Sequence, residues 1–492
     1  MLTVLFVLKK NVFYLDLAIV LALLKKEGFK VEILFEEVEN ENLIKKIKSH
    51  NPSLIGSYTE VFDLLNNNLA QTLYLLENIK KELPGTTVFL AGIHSTIYPD
   101  IINQYRFLDI LFVGDMETSI VEVAGSVRQK PYSGVQGIVC RNGDEICHNP
   151  PSVPTDLSKL PFPDFAPFLR YPGAFRYGHQ IPWARGCPNH CSFCFNPKIA
   201  EIAGTDFANS PRYFPVKYLI DIIKYLKEND SSFQILYVGQ ISNLESKQFF
   251  REFCELYKGL RIPYVIPARL DTLDEEVVQL LKESNCSKIT IAIESGNERL
   301  RNQVLKKNLD DDVIYKSMKL LKKYNIRVGC NIIMGFPDET IDDAFASLEM
   351  ARRIKADIIN TQIFVPIKGL NITSYAIGKG YLSKDLDINS FKYKKSILDI
   401  KNKRYFENLV CLAPLYLALP LKPLLKFLLL MPSNRFFSWV KILPRVKAVL
   451  NYEMRYSSIL DKFKYILYVH YYIFVRNKWP ERIVVEKPVK KM

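Results

Sequence analysis

The chain has 492 residues, enough for two or three domains each with its own core, and at 48% apolar residues it has the make-up of a globular protein. Its net charge of +14 is concentrated at one end: from Lys401 to Met492 there are 18 Lys and Arg against 5 Asp and Glu, a difference of +13. Nine cysteines, an odd number without ladder-like spacing, exclude a disulfide-stapled secreted domain and point to a reducing cytosol.

The opening "MLTVLFVLKK" lacks a preceding basic segment and a small-residue cleavage site, so it reads as a buried strand rather than a signal sequence. From Leu2 to about Val127 the apolar runs "LTVLFVL", "KVEILFE", "SLIGSYT", "TTVFLAG" and "DILFVG" alternate with helical stretches such as "LAIVLALLKKEG". Continuous apolar strands between amphipathic helices indicate a parallel sheet covered on both faces. Residues 1–135 are therefore expected to form a doubly wound, Rossmann-like α/β domain, with its ligand crevice beyond the carboxyl ends of the strands.

Residues 136–180 are expected to be a hairpin and a linker. "GIVCRNGDEICHN" places two short strands around an Asn-Gly turn, with Cys140 and Cys147 as plain reduced strand residues, because a metal pair there would need two further ligands. "NPPSVPTDLSKLPFPDFAPFLRYPG" is dense in proline and reads as an extended segment wrapped over a surface.

Residues 181–380 resume the alternation with "IPWAR", "FQILYVG", "IPYVIPA", "SKITIAI", "IRVGCNIIMG" and "ADIINTQIF". Six strand–helix repeats with right-handed crossovers would roll into a partial (β/α)6 TIM barrel, whose chemistry sits at the C-terminal strand ends. There stands "RGCPNHCSFCFNP", with Cys187, Cys191 and Cys194. A closed zinc site would need His190 as fourth ligand, forcing consecutive residues to turn inward within a short loop. An iron–sulfur cubane asks for less: three thiolates hold three irons and leave the fourth open.

The spacing Cys-x3-Cys-x2-Cys, just after the first strand of a partial barrel and with Phe193 before the last cysteine, resembles the signature of the radical S-adenosylmethionine superfamily. The resemblance implies a 4Fe-4S cluster on Cys187, Cys191 and Cys194, whose open iron chelates the amino and carboxylate groups of S-adenosylmethionine. It further implies reductive cleavage to a 5′-deoxyadenosyl radical that abstracts hydrogen from an unactivated carbon. Phe193, with Glu294 and Ser295 in "IAIESGNERL", falls where that family contacts the cofactor. Gly239 and Gln240 in "VGQIS" stand where relatives carry a Gly-rich or acidic stretch, and the acidic residue is missing here. Arg269 in "IPARLDTL" is suited either to a carboxylate of the cofactor or to a salt bridge with Asp271 or Glu294. The strand–turn–helix junction "MGFPDET" fits either a helix cap from Asp338 or Thr340 or a contact with the cofactor.

A doubly wound domain ahead of such a barrel resembles the cobalamin-binding class of the superfamily. The matching loops are "GSYTEV" (Gly56, Ser57, Thr59), "AGIHSTIYP" (Gly92, His94) and "VGDMETS" (Gly114, Glu117, Thr118), together with "LSKLPFPDF" in the linker. Small and hydroxyl residues at these tips let a bulky corrin tail approach the backbone. The chain departs from many cobalamin proteins in having "KKNVFYLD" where an Asp-x-His-x-x-Gly loop would supply a cobalt ligand. His94 is the loop-tip histidine, and cobalt ligation, helix capping and hydrogen bonding to the corrin edge all stay open for it. The glycine loops alone would also suit a nucleotide or a flavin.

Residues 381–492 read as a basic, apolar helical region. Cys411 to Met431 is about as long as a membrane span, but Pro414, Pro420 and Pro423 interrupt it and Lys422 and Lys426 lie inside, so a spanning helix is not expected. Either a cap against an anionic membrane surface or a soluble lid on the barrel mouth fits, and a lipid-like substrate would reconcile both. Nucleic acid is not expected, because no interleaved basic and aromatic motif accompanies the charge. The resulting expectation is a cytoplasmic enzyme, peripheral on the inner face of the membrane in one version, that methylates an unactivated carbon of a small or lipid-like substrate. It would use cobalamin, S-adenosylmethionine, a 4Fe-4S cluster and a donor such as flavodoxin or ferredoxin. The alternatives are a cobalamin-bearing cyclase or oxidoreductase, and a non-catalytic iron–sulfur or zinc module; no side chain stands out as a general acid or base.

Overall fold

The computed structural model describes residues 2–8, 12–39, 42–60, 68–127, 132, 134–171, 174–175, 178–203, 211–239, 244, 246–385, 395–420, 422–432, 437 and 440. Most of the basic C-terminal stretch therefore lies outside the described residues.

The first unit is a seven-stranded sheet of β1 (Thr3–Leu8), β2 (Lys30–Phe35), β3 (Leu54–Thr59), β4 (Thr87–Gly92), β5 (Ile110–Phe112), β6 (Ile138–Asn142) and β7 (Glu145–His148), in the order β2-β1-β3-β4-β5-β6-β7. The first five strands pair in parallel, and β6 and β7 add antiparallel to the β5 edge. Strand alternation explains why it is covered twice. Leu5, Val7, Ile55, Val88 and Leu90 enter one apolar cluster, while Phe6, Leu8, Leu54, Phe89 and Ala91 enter the other. The hairpin expected in the linker thus belongs to this sheet, with Cys140 directly opposite Cys147 and neither in a disulfide.

The second unit holds β8 (His179–Ile181), β9 (Ala184–Arg185), β10 (Arg212–Tyr213), β11 (Leu236–Val238), β12 (Tyr264–Pro267), β13 (Cys286–Glu294), β14 (Val328–Met334) and β15 (Ile358–Ile363). Six of these form an all-parallel sheet in chain order, β8-β11-β12-β13-β14-β15, the partial barrel expected from the repeats. The run "IPWAR" is not one strand: the first barrel strand ends at Ile181, and Ala184–Arg185 pairs instead with β10. Pro182 lies at the break, where it lacks an N–H for the ladder. The helix Lys403–Ala418 packs on β15 at the open end of the sheet, where Thr361 Oγ1 donates to Val410 O at 2.9 Å.

The proline-rich segment is not merely wrapped over a surface. Phe165 and Phe168 are buried, and Phe165 lies 5.5 Å from the Phe13 ring of the first unit and 5.2 Å from the Tyr225 ring of the second. One apolar cluster consequently runs from β1 through the linker into the barrel helices.

Candidate functional site

The carboxyl ends of the two sheets meet. Arg185, two residues before Cys187 and at the end of β9, is half-buried among carboxylates of the first unit. Its guanidinium lies 2.8 Å from Asp16 Oδ1, 2.6 Å from Glu117 Oε1 and 3.3 Å from Asp115 Oδ1. Arg212 on β10 adds a second bridge, 2.6 Å from Asp115 Oδ2 and donating to Thr155 O at 2.7 Å. Burial raises the pKa of Glu117, whereas the two guanidiniums outweigh burial at Asp115 and hold its carboxyl down near 2. Glu117, expected at the cobalamin, is therefore committed to the seam, while Thr118 beside it is exposed.

The cysteine loop leaves this anchor directly. Asn189 Nδ2 donates to Cys187 Sγ at 3.4 Å and Asn196 Nδ2 to Cys194 Sγ at 3.5 Å, so two of the three sulfurs already face amide donors that would stabilise thiolates. A turn brings Cys194 N to Cys191 O at 3.1 Å, and the helix Asn196–Ala203 follows. Without a metal, burial raises the Cys191 thiol and pushes Cys194 up to about 11. Among the described residues no three His, Cys, Asp or Glu side chains close tightly around a single-ion site, and His190 is exposed. The trio shares one loop at the barrel mouth with amides on its sulfurs, a donor set that fits a cluster with an open iron.

The other barrel positions gather at the same end. Phe193, between two of the cysteines, packs 6.0 Å from the Phe336 ring. Glu294 ends β13 at φ +61 and pairs with Lys307 at 3.2 Å. Arg269 takes the salt-bridge alternative: Nη2 lies 2.7 Å from Asp271 Oδ2 and also donates to Lys307 O at 3.0 Å. Ser295 is fully buried, its Oγ accepting from Asn297 N at 3.2 Å, so it shapes the turn. Gly239 N donates to Ile181 O at 3.1 Å, and Gln240 lies outside the described residues.

In the first unit, Thr59 and Gly92 are the last residues of β3 and β4, Gly114 follows β5, His94 lies in the short helix Ile93–Ile97 after β4, and Ser57 lies inside β3. The glycines there answer to the chain itself before any ligand: a Cβ on Gly56 would fall 2.3 Å from Phe89 O, and on Gly92, at φ +104, 2.1 Å from Thr59 O. Thr59 Oγ1 donates to Ala91 O at 3.1 Å, and Gly114 N donates to Thr96 Oγ1 at 3.0 Å. Ser57 is buried within β3. His94 differs from all of these. It is buried, neither ring nitrogen has a partner among the described residues, and burial lowers its pKa to about 3, leaving a neutral imidazole. Unpaired buried polar atoms are rare in finished structures, so this orphaned ring beside the strand ends fits a group with hydrogen-bonding edges, as a corrin has.

Two residues escaped sequence reasoning. Lys307 sits in "LKKN", where a lysine reads as solvated. Glu339, in "MGFPDET", accepts from Gly335 N at 2.5 Å and Phe336 N at 2.9 Å through Oε2, while Oε1 has no partner among the described residues. In the same motif Thr340 is the helix cap, its Oγ1 accepting from Asp343 N at 3.2 Å, whereas Asp338 accepts from Tyr381 Oη at 2.8 Å.

Comparison with known proteins agrees with this architecture. Residues 181–351 match the radical SAM superfamily and residues 1–124 the B12 binding domain. An uncharacterized methyltransferase of Pyrococcus horikoshii is 23% identical over 383 residues, 76% of this chain and 80% of its own length. An anaerobic magnesium-protoporphyrin IX monomethyl ester cyclase of Rubrivivax gelatinosus is 24% identical over 358 residues, 68% of this chain and 60% of its own. Among solved structures, the radical S-adenosylmethionine methyltransferase TsrM of Kitasatospora setae, with cobalamin and a [4Fe-4S] cluster bound, shares the fold. Its TM-score is 0.64 at 16% identity over 78% of this chain and 76% of that one.

Proposed function

Because residues 181–351 match the radical SAM superfamily and residues 1–124 the B12 binding domain, we propose that the chain methylates an unactivated carbon of a small or lipid-like substrate. The observation that carries this reading is the direct contact of the two strand-end faces, with Arg185 joining the cysteine loop of one to Asp16 and Glu117 of the other. When bound, S-adenosylmethionine on a 4Fe-4S cluster supplies a 5′-deoxyadenosyl radical and cobalamin supplies a methyl group, the two chemistries that such a reaction needs.

In this reading Cys187, Cys191 and Cys194 hold the cluster, and the Asn189 and Asn196 amides steady two of their sulfurs. Phe193 and Glu294 border the S-adenosylmethionine, and the loops at Ser57, Thr59, His94 and Gly114 border the cobalamin. The seam network fixes one site against the other. Electrons come from a donor such as flavodoxin or ferredoxin.

The test is anaerobic turnover with S-adenosylmethionine carrying a labelled methyl group. A product heavier by one labelled methyl is expected; 5′-deoxyadenosine with an unlabelled, cyclised or oxidised product would instead support the cyclase or oxidoreductase reading. Alanine at any of the three cysteines should remove iron, sulfide and 5′-deoxyadenosine release together. One equivalent of zinc without sulfide in anaerobically purified protein would reject the catalytic reading.

No helix among the described residues is long and apolar enough to cross a membrane. The helix Lys422–Leu429 nevertheless supports a membrane-facing version of the function: Leu425 and Leu429 are buried, while Leu424, Phe427, Leu430 and Met431 are exposed alongside Lys422 and Lys426. A helix apolar on two sides has one side left for another surface, and here the apolar side chains carry the argument, since Lys422 and Lys426 lie 3.1 and 3.6 Å from Asp342. The protein is expected to co-sediment with phosphatidylglycerol vesicles and the L424S/F427S variant to lose that binding; equal sedimentation of both would refute the membrane version.

A further inference from the structure

The segment after β13 is held in an unusual shape. Glu294, Lys306 and Asn308 have φ of +61, +51 and +50. Side-chain-bearing residues in this region of backbone space carry strain of about 1 kcal/mol or more each and persist only where the surroundings enforce it. Between them Leu300–Val304 forms a π-helical turn, a form that is rare and frequent at functional sites. Arg301, fully buried, holds the contortion by donating to Ser295 O at 2.9 Å and Leu309 O at 2.5 Å and by pairing with Asp311.

The shape docks this segment onto the cysteine loop. Ser192, next to Cys191, donates from its N to Leu305 O at 3.0 Å and from its Oγ to Val304 O at 2.8 Å. Arg269 holds the far side through Lys307 O. The Lys307 side chain is thereby tucked beneath the loop, 8% exposed, with Nζ 3.2 Å from Glu294 Oε1 and 5.9 Å from the centroid of the Phe193 ring. Its ammonium leads the charged groups acting on the Cys191 thiol, ahead of Arg269 and Glu294.

A buried ion pair is a poor source of stability, because desolvation offsets the attraction, so its retention in a strained frame asks for another reason. A four-iron cluster on three thiolates is anionic, and accepting an electron adds one more negative charge. Its potential follows the net charge and hydrogen bonding around it. We propose that Lys307 is the charge-compensating residue of the cluster and Glu294 its counterweight, the ammonium favouring the reduced state and the carboxylate opposing it. This rests on the cluster assignment made above. The step is the entry of one electron from the low-potential donor into the cluster, with no bond made or broken in the protein.

The experiment is a redox titration followed by electron paramagnetic resonance on reconstituted full-length protein, with iron and sulfide measured on every sample. With full cluster content, K307M is expected to move the midpoint to more negative potential and E294Q to more positive potential. The K307M/E294Q double variant should return towards the wild type, and K307R should stay close to it. K307M and E294Q are independent arms, so whichever of them folds with full cluster content carries the test by the direction of its shift, and the double variant and K307R are controls expected near the wild type. Shifts of the two single variants in the same direction, or an unmoved midpoint in either single variant with the cluster intact, would overturn the proposal and leave the functional reading standing. A wild type without iron and sulfide would instead sink the functional reading itself.

Discussion

Through a single oxygen, Glu339 accepts the N–H groups of Gly335 and Phe336, which shapes the turn after β14, and burial pushes its pKa up to about 8 from an ordinary 4.5. The folded protein thus keeps a proton that the unfolded chain releases, so protonation favours the fold. This contribution is whole below pH 4.5 and is lost as the pH climbs through about 8, with a slope of at most about 1.4 kcal/mol per pH unit. Denaturant unfolding between pH 5 and 8 should therefore show a stability falling with pH that the E339Q variant flattens; identical slopes would assign the dependence elsewhere. Nothing in "MGFPDET" announced this residue. The capping pattern drew attention to Asp338 and Thr340, and only the second of those caps the helix. Lys307 was hidden in the same way, since a lysine in a basic run reads as solvated until the chain around it is seen to fold under Phe193.

Among the elements, those with one-dimensional signals were legible and those made by distant pairs were not. Apolar runs bounded by helices located the parallel strands of both sheets, and the cysteine spacing located the loop between β9 and its helix. Pro182 inside "IPWAR" was the local cue that this run could not be one central strand. The seam network leaves no such cue, because Arg185 meets Asp16 and Glu117 across 169 and 68 positions of sequence. That network yields a prediction. Removing the guanidinium in R185M leaves Asp16, Asp115 and Glu117 facing one another with Arg212 alone, and breaking a buried pair in this way costs about 3–5 kcal/mol. R185M should lower the urea midpoint accordingly, and adding E117Q should recover part of the loss. A midpoint unchanged in R185M would mean that the carboxylates find water or another cation.

Over the whole molecule, the two units are joined by a shared core rather than by a tether. The sequence marked the proline-rich segment as a boundary because prolines disfavour a helix or a central strand, yet a short helix, Ala166–Leu169, forms there with Pro167 in its first turn, where a missing N–H costs nothing. The sequence could not show that Phe165 leaves the linker to fill the space between Phe13 and Tyr225, with Phe168 packed on Phe13 and Phe35 beside it, since burial of a residue depends on what folds over it. With one apolar cluster spanning both units, the domains should unfold together, giving a calorimetric enthalpy close to the van't Hoff value in a single transition. Phe165→Ala removes a ring stacked on both sides and should cost about 3–5 kcal/mol. Because the loss falls on the joint, it should also separate the single peak into two. A conservative Phe165→Leu keeps most of the volume and should preserve one peak at a slightly lower temperature. Two peaks already present in the wild type would show that the shared cluster does not couple the units, and the fixed spacing of the two cofactor faces would then have to rest on the Arg185 and Arg212 bridges alone.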